Sequence, residues 1–452
     1  MDFRHLSFDP APSIVTVPPG LNSLKYLEYQ AANEGAAVSY PHGLPCALAR
    51  GRGATVEDVD GNVYIDFFGG AGVMAVGHAN PEVVAAAQEQ LTQLTHALDL
   101  PTPARRALVE RLREVLPPAL TRVFFGGPTG SDAVESAMKL SRLNTGRIPF
   151  IAFEGSYHGM TSGALSLTSA RSFKNRLLPL VPEVHFVPYA YCYRCAFGKT
   201  KDTCDMQCAK HLDHVLEDPH SGIGTPAAVI VEPIQGEGGS VVPPPEFLPK
   251  VREICDRHDV LLIADEIQTG FCRTGKMFAV QHTGTVPDIM TMSKALGGLG
   301  FPISAIAYKE SLNTWKPGAH IGTFRGNVIA YAAGAAAIRF MCEQDLAGHA
   351  ARLGEHLLTL LQEVEHDSPF VGEVRGKGLM IGVEFVGDKA TKRPAPELAS
   401  RVRSLCLKRG LLIEIGGHYS NVARFLPPLV LTEDIARKGI EIFAESVRDL
   451  EK

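Results

Sequence analysis

The sequence has no apolar stretch long enough to cross a membrane and no cluster of basic residues. Its 44 lysines and arginines are scattered along the chain and stand against 49 acidic residues, for a net charge of −5. That balance gives no electrostatic footprint for nucleic acid. The opening residues, MDFRHLSFDPAPS, carry charges and prolines where a secretory signal has an apolar core. We therefore expect neither a membrane nor a nucleic-acid partner.

Cysteine gives no sign of a disulfide framework. The nine cysteines are an odd number, and most of them stand alone within predicted helices or strands. Isolated thiols of this kind suit a reducing compartment, so the sequence predicts a cytoplasmic protein. The apolar content of 45% and the charged content of 21% are those of an ordinary globular protein. A chain of 452 residues is too long for one small core, and two or three domains are expected.

Short β-type runs alternate with helix-like stretches through the middle of the chain. This alternation predicts an α/β fold with a largely parallel seven-stranded sheet covered on both faces. Such sheets bind their ligands at the carboxyl ends of the strands. The predicted strands are residues 122–125, 150–153, 184–187, 227–231, 260–264, 288–292 and 304–308.

The two ends of the chain have a different pattern. Residues 1–75 are predicted to form an arm, with a helix at 21–35, and a hairpin at 46–70 that turns at Asp60-Gly61-Asn62. Residues 76–334 are the large domain, with a cysteine-containing insertion at about 188–212. Residues 335–452 are a small α+β domain, in which strands at 371–376, 380–385 and 411–415 alternate with helices. The arm and hairpin are expected to pack with the small domain.

Two apolar runs in the large domain end abruptly on a charged residue. The run 260–264 ends on Asp265, and the run 287–293 ends on Lys294. Neither charge belongs in an apolar core without a partner. A lysine and an aspartate delivered to one crevice are what pyridoxal 5′-phosphate (PLP) chemistry requires. The lysine forms a Schiff base and the aspartate keeps the ring nitrogen protonated. A structural ion pair at the end of the sheet is the alternative.

A glycine-rich turn joins a predicted strand to an amphipathic helix at residues 124–139. The free N–H groups at a helix start, with the Ser131 hydroxyl beside Gly130, form an anion site. An ordinary N-capped helix is the alternative, and the absence of Gly-Lys-Ser/Thr excludes a Walker loop. The segment Gly70-Ala71-Gly72 mimics a dinucleotide fingerprint. It lacks the third glycine and the acidic strand end, so we reject that interpretation.

Three further groups complete the candidate constellation. Tyr157 and His158 follow the strand at 150–153, where an aromatic ring could stack on a planar cofactor. Glu232 and Glu237 follow the strand at 227–231, where carboxylates can poise a cationic imine or pair with an arginine. Arg424, on a proline-flanked segment, offers a rigid fork for a substrate carboxylate. A domain-joining salt bridge is the alternative for Arg424.

The insertion holds a cysteine cluster with Cys-x2-Cys and Cys-x3-Cys spacing, in Cys192, Cys195, Cys204 and Cys208. Such spacing can close a tetrahedral zinc site, which makes the four thiols a zinc candidate. The alternative is a reduced structural loop at a dimer surface, and no other metal site is indicated.

The chain as a whole resembles the class III (ω-amino acid type) PLP-dependent aminotransferases of fold type I. The resemblance runs from about residue 53 onward. It is carried by ADEIQTGFCRTGKMFA at 264–279 and PDIMTMSKALGGLGFPISA at 287–305. Further matches are GHANPEV at 77–83, VEPIQGEGG at 231–239, GTFRGN at 322–327 and RGKGLMIGVEF at 375–385.

This resemblance implies a role for each candidate residue. Lys294 would be the Schiff-base lysine and Asp265 the partner of the pyridinium, with PLP as the cofactor. Gln268 would lie near the phenolic oxygen with Glu232 beside it, and Gly130 and Ser131 would bind phosphate. Thr323 would reach the phosphate in the neighbouring subunit of a homodimer with shared active sites. Glu237 and Arg424 would form a switch that frees the arginine for a dicarboxylate.

Within the class, GPTGSDAVE at 127–135 and GSYHGMTSGALSLTS at 155–169 resemble the 2,4-diaminobutyrate:2-oxoglutarate aminotransferases. Met160 stands where ornithine- and GABA-type members carry an arginine for the distal carboxylate, which argues against GABA. The cysteine insertion resembles members that include amino-acid racemases. The sequence therefore leaves a racemase or epimerase, other chemistry of the PLP carbanion, and a non-catalytic zinc-binding or interaction protein as alternatives.

Overall fold

The structure is a computed structural model that describes residues 3–451. Residues 1, 2 and 452, at the outer ends of the predicted arm and the predicted small domain, lie outside the described range. The helices are α1 Leu21–Asn33, α2 Tyr40–Gly43, α3 Gly69–Gly72, α4 Pro81–Leu91, α5 Pro103–Val115, α6 Gly130–Thr145, α7 Ser162–Leu167, α8 Gln207–Glu217, α9 Phe247–Arg257, α10 Val328–Glu343, α11 Leu346–Asp367, α12 Pro396–Lys408 and α13 Glu433–Arg448.

Strands gather into three sheets. The strands are β1 Leu48–Arg52, β2 Thr55–Asp58, β3 Val63–Asp66, β4 Arg122–Phe125, β5 Phe150–Phe153, β6 Val184–Val187, β7 Ala228–Val231, β8 Leu261–Asp265, β9 Ile289–Met292, β10 Ala305–Tyr308, β11 Val371–Lys377, β12 Met380–Asp388, β13 Arg393–Pro394, β14 Leu411–Leu412, β15 Glu414–Gly416 and β16 Val422–Phe425.

The central sheet has seven strands in the order β4-β10-β9-β8-β7-β5-β6. Its strands are the seven predicted runs, with ends that differ by no more than a residue. Neighbours from β6 to β9 pair in parallel, and β10 runs antiparallel to both β4 and β9. The predicted α/β fold with a mostly parallel sheet is therefore confirmed.

The central sheet packs against an apolar core on each of its two faces. Along β8, Ile263 joins a core with Ala133 and Leu140 of α6, while Leu262 joins the larger core on the opposite face. Successive side chains of a strand point to opposite faces, so a strand buried on both sides reads as a continuous apolar run. That burial leaves the carboxyl end of β8 as the place where a polar side chain can reach a cleft.

The N-terminal hairpin is more divided than its sequence pattern predicts. Residues 46–59, predicted as one strand, form β1 and β2 with a turn at Gly53, whose φ of +55° is easy only for glycine. The predicted turn at Asp60-Gly61-Asn62 does join β2 to β3. β3 then pairs in parallel with β14, so the N-terminal segment shares a four-stranded sheet with a C-terminal strand.

The third sheet has the order β11-β12-β16-β15, with β13 paired to β12. The strand predicted at 411–415 is two strands in different sheets, because β14 pairs with β3 while β15 pairs with β16. Phe385, Phe425 and Phe443 pack their rings together and hold α13 against this sheet. The predicted domain boundaries remain predictions, and the second of them falls inside α10. No helix within residues 3–451 is long and apolar enough to span a membrane.

Candidate active site

A cavity of about 820 Å³ opens at the carboxyl ends of β8 and β9. Its walls come from the start of α6, the loop after β5, the loop after β7, and the segment around β15. The structure brings most of the sequence-predicted site residues into this one cavity. Those residues are Gly130, Ser131, Tyr157, His158, Glu232, Glu237, Asp265, Gln268 and Lys294.

Asp265, the last residue of β8, is fixed by three contacts. Its Oδ2 lies 2.6 Å from His158 Nδ1. Its Oδ1 accepts hydrogen bonds from Thr291 Oγ1 at 2.9 Å and from the Ile267 backbone N–H at 3.1 Å. A buried carboxylate held in this way keeps one rotamer and presents its charge in a fixed direction. The arrangement suits a carboxylate that must face a cationic ring nitrogen.

Lys294 follows β9 in a strained turn. Its φ of +47° lies in the left-handed region, which costs a non-glycine residue about 1–3 kcal/mol and often marks a functional position. The Nζ atom donates a hydrogen bond to the Ala71 carbonyl at 3.0 Å. Burial, followed by the charge of Arg424, lowers the pKa of the Lys294 amine below its ordinary value. A lowered pKa makes the neutral, nucleophilic amine more accessible.

The wall formed by α6 and the loop after β5 can accept an anion. Gly130 and Ser131 are the first residues of the 16-residue helix α6. Helix N-termini carry free N–H groups and a positive end of the helix dipole. Ser131 Oγ accepts a hydrogen bond from the Met160 N–H at 3.1 Å, which ties the two segments together. A Cβ at Gly159 would come within 2.2 Å of Ser131 Oγ, so the loop approaches the helix start only because that residue is glycine.

Glu232 organises the loop that carries Tyr157. Its two carboxylate oxygens accept hydrogen bonds from the Tyr157 N–H at 3.0 Å and from the Gly236 N–H at 2.8 Å. Burial raises the pKa of Glu232 to about 7. The Tyr157 ring meets Phe173 edge-on, with the ring centroids 5.9 Å apart. The predicted ring-stacking residue is therefore held in place from both its backbone and its side chain.

Several buried polar atoms on the cavity wall lack a hydrogen-bond partner among the described residues. They include His158 Nε2 and Gln268 Oε1. Buried polar atoms are nearly always satisfied, so an unpaired atom in a cavity indicates a missing ligand. PLP offers a phosphate for the α6 terminus, a planar ring for Tyr157 and an aldehyde for Lys294. The residues present thus fit PLP.

Arg424 is fully buried and holds two carboxylates on one nitrogen. Its Nη2 lies 2.6 Å from Glu237 Oε2 and 2.7 Å from Glu414 Oε2. The predicted Glu237–Arg424 pair is thus present, and Glu414 is a third member that sequence reasoning missed. A signal for Glu414 existed, because it ends the apolar run Leu411-Leu412-Ile413 as Asp265 ends β8.

Arg403 is a second missed residue on the cavity wall. It extends from α12, and a Cβ at Gly43 would come within 2.5 Å of its guanidinium. Its Nε atom is buried without a hydrogen-bond partner in the described part of the chain. Nothing in the sequence marked it, because one arginine on a polar helix face looks like a solvated residue.

Thr323 lies outside this cavity. It begins a short 3-10 turn and borders a separate cavity of about 560 Å³ with Leu98, Ile321 and Arg325. Its carbonyl oxygen lies 2.7 Å from His96 Nε2. A role in this subunit's own cavity is therefore not indicated, and the predicted role across a dimer interface stays a prediction.

The cysteine-containing insertion borders another cavity of about 820 Å³, which all four predicted cysteines line. Across residues 3–451, no group of three or more His, Cys, Asp or Glu side chains is placed to hold a metal ion. Burial raises the pKa of Cys192 and raises that of Cys208 to about 11, so both side chains are thiols in the metal-free chain. The described geometry gives the zinc candidate no support.

A buried charge cluster attaches the insertion to the third sheet. Glu384 of β12 accepts hydrogen bonds from Tyr191 and from Arg194, with 2.5 Å between its Oε1 and Arg194 Nε. Arg375 Nη1 lies 2.6 Å from Glu384 Oε2. A buried carboxylate with several charged partners is costly to disrupt. The insertion is therefore a firmly packed structural element.

A mostly parallel sheet that brings a buried lysine and a fixed aspartate into one cavity fits the class of PLP-dependent enzymes. The sequence profile of the aminotransferase class-III family matches residues 36–447. The chain belongs to this family, and it is a PLP-dependent aminotransferase. Family membership leaves the rival interpretation as a non-catalytic binding protein without support.

Several curated proteins are similar to this chain along nearly their whole length. A diaminobutyrate–2-oxoglutarate aminotransferase of Haemophilus influenzae is 42% identical over 94% of this chain and 95% of its own length. A protein of the same name from Rhizobium meliloti is 41% identical over 90% and 89%. A leucine/methionine racemase of Thermococcus litoralis is 37% identical over 90% and 92%. The chain therefore has both transaminases and racemases among its relatives.

Solved structures agree on the fold. An (S)-enantioselective ω-transaminase from Thermomicrobium roseum has a TM-score of 0.88 and 29% identity, covering 95% of this chain and 99% of that one. The ornithine aminotransferase of Toxoplasma gondii has a TM-score of 0.82 and 29% identity, covering 95% and 96%. Fold type I of the PLP enzymes is thus the fold of this chain.

Proposed function

We propose that this enzyme moves the terminal amine of L-2,4-diaminobutyrate onto 2-oxoglutarate, or carries out the reverse reaction. The observation that carries the proposal is the buried Arg424 with its two carboxylates, near enough to Lys294 that the charges of Arg424, Glu414 and Glu237 shift the pKa of the amine. Such a site can receive a cationic donor and, once a carboxylate moves away, an anionic acceptor. Relatives named for this reaction support the choice of substrates.

Lys294 is the covalent anchor and the proton carrier in this proposal. Its amine is the nucleophile available at the end of β9, and burial lowers its pKa, which makes the neutral form of the amine easier to reach. PLP, when bound, supplies an electron-withdrawing ring that stabilises negative charge on the substrate carbon. Asp265 would hold the ring nitrogen protonated, and His158 keeps the Asp265 carboxylate in position through its 2.6 Å contact.

The remaining wall residues bind and orient the cofactor. Gly130 and Ser131 would present the helix start to its phosphate, and Tyr157 would cover one face of the ring. Gln268 would direct its amide group towards the phenolic oxygen, with its N–H as the donor, and Glu232 would lie beside it. These roles are supported by the positions of the residues around one cavity, and by buried polar atoms that lack partners there.

Glu237 and Arg424 act as the substrate switch. Glu237 has a side chain 36% exposed and lies in a loop, whereas Arg424 is fully buried in β16. Glu237 can therefore swing away while Arg424 stays. With Glu237 on the arginine, the site favours a cationic donor; with Glu237 displaced, Arg424 can accept the α-carboxylate of 2-oxoglutarate by charge-assisted hydrogen bonds.

The active enzyme is a homodimer with shared sites in the cytoplasm. The segment around Thr323 exposes large apolar side chains, namely Leu98, Leu100, Ile321 and Phe324. Such a patch is typical of a protein interface, and Thr323 would then reach the partner's cofactor. The nine cysteines are all free thiols, which fits a reducing compartment.

A racemase is the second candidate, because two curated relatives carry that name. In a racemase, Lys294 would remove and return the α-proton without a keto acid. The two functions are separated by incubating the enzyme with L-2,4-diaminobutyrate, with and without 2-oxoglutarate, and measuring glutamate and the D-isomer.

We expect glutamate to form only when both substrates are present, and no D-diaminobutyrate to form without the keto acid. The Lys294→Ala variant, prepared in the same way, is the control for contaminating activity. D-isomer in the absence of 2-oxoglutarate would establish the racemase, and other carbanion chemistry would give an amine-derived product without glutamate.

A further inference from the structure

Glu414 places a second carboxylate beside Arg424 at the active-site cavity. Both Glu237 and Glu414 contact the same Nη2 atom of Arg424. One cation thus faces two carboxylates. A switch needs only one carboxylate to cover the arginine, so the second requires another explanation.

Glu414 is also less free to leave than Glu237. It lies on β15 directly opposite Arg424 in the antiparallel register with β16. Its side chain is 11% exposed, against 36% for Glu237. When Glu237 moves, the Glu414 carboxylate therefore stays in contact with Arg424.

Arg403 is a cation on the same cavity wall that forms no ion pair among the described residues. No carboxylate of the described residues lies within ion-pair distance of it, and its Nε is buried without a partner. Burial lowers the pKa of its guanidinium, and Glu414 is the charged group that acts in the opposite direction. On another part of the cavity wall stands Met160, which carries no charge. Arg403 is thus a cation on the wall that is available to an anionic ligand.

We infer that Glu414 and Arg403 together receive the amino-acid head of the donor. Arg403 would bind the donor's carboxylate, Glu414 its α-ammonium, and the terminal amine would then point towards Lys294. This inference rests on the proposed function and names the substrate class of that site. A diamino acid is selected because its far end carries both charges, and each charge meets a cavity-wall group of opposite sign.

Four amines dissect this subsite. L-2,4-Diaminobutyrate carries both charged groups at its far end. 4-Aminobutyrate keeps only the carboxylate, 1,3-diaminopropane keeps only the second ammonium, and propylamine has neither. The donor half-reaction of the PLP-loaded enzyme is followed in single turnovers, so that binding of the acceptor to Arg424 does not enter the measurement.

The Glu414→Gln variant should lose about tenfold to a hundredfold in kcat/KM for diaminobutyrate and diaminopropane, the size of one charge-assisted hydrogen bond. Any loss on 4-aminobutyrate and propylamine reports the missing Glu414 charge beside Arg424 and Lys294, and it should be smaller than the loss on diaminobutyrate and diaminopropane by that factor. Arg403→Gln should lose a similar factor for diaminobutyrate and 4-aminobutyrate, measured relative to its own values for diaminopropane and propylamine. The matched controls, Glu397→Gln and Arg401→Gln, change exposed residues of α12 and should alter none of the four.

Equal losses for all four amines in either variant would assign that residue a structural role and overturn the inference, as would unchanged values for diaminobutyrate. The proposed function fails in a different way. In that case the wild-type enzyme itself shows no turnover of diaminobutyrate. The comparison of 4-aminobutyrate with propylamine then still tests Arg403, and the comparison of diaminopropane with propylamine still tests Glu414.

Discussion

His158 Nδ1 lies 2.6 Å from Asp265 Oδ2, although 107 residues separate the two in the chain. The contact joins the loop after β5 to the end of β8, and it leaves His158 Nε2 on the cavity wall without a partner. The histidine therefore fixes the carboxylate from one side, while Thr291 fixes it from the other at 2.9 Å. We infer that this geometry sets the direction in which Asp265 presents its charge to the cofactor ring.

Asp265→Asn should bind PLP and lose about three or more orders of magnitude in turnover, because an amide cannot stabilise a protonated ring nitrogen. His158→Asn should lose less, since the carboxylate remains. Cofactor content is read from near-visible absorbance and turnover from glutamate formation. Near-normal turnover in the Asp265 variant would show that Asp265 does not stabilise the protonated ring nitrogen.

Arg424→Gln should raise the KM for 2-oxoglutarate strongly, because truncating a desolvated charge partner costs about 2–5 kcal/mol. The donor half-reaction should be affected less than the acceptor half-reaction. Steady-state kinetics with each substrate varied in turn measure the two separately. If unfolding occurs at a lower temperature while both KM values hold, the Arg424 contacts are only a structural salt bridge.

Thr323→Ala should weaken PLP binding by about 1.5–3 kcal/mol, the value of one hydrogen bond to a charged group. Dilution should release PLP and activity together, since each site needs both chains. Sedimentation combined with cofactor absorbance tests both statements. An active monomer that holds PLP tightly would contradict the shared site.

Glu266→Gln should flatten the dependence of stability on pH. Glu266 is fully buried, and burial raises its pKa to about 7 from an ordinary value of 4.5. Between those values the native state keeps a proton that the unfolded chain has lost, so the free energy of unfolding falls as pH rises. Above pH 7 the free energy of unfolding is about 3 kcal/mol lower than at acidic pH because of this one group.

Denaturant midpoints of wild type and Glu266→Gln at pH 5 and pH 8 check this expectation. Glu232 has a raised pKa in the same window, so the difference between the two proteins isolates Glu266. Equal pH slopes in the two proteins would show that Glu266 is charged throughout.

Strand ends were the part of the site that the sequence could predict. Asp265, Lys294 and Glu232 each terminate or follow a buried apolar run, and parallel strands bring such ends to one edge. Glu414 ends a similar run but is not predicted, because the pattern at 411–415 indicates a single strand, whereas the chain changes sheets between β14 and β15.

Tertiary packing decided the remaining features. Arg403 faces the cavity only because of how α12 packs, and no local pattern records that. The hairpin around Gly53 depends on a contact with His78, whose carbonyl accepts the Gly53 N–H at 2.9 Å. Such long-range pairings lie beyond periodicity and turn chemistry.

The identity of the lysine that carries the cofactor tests the central claim most directly. PLP-loaded protein is reduced with borohydride, digested and analysed by mass spectrometry, with Lys294→Ala treated in parallel. We expect the label on the peptide that contains Lys294, with neither label nor turnover in the variant. A label on another lysine, or turnover in Lys294→Ala, would contradict the account.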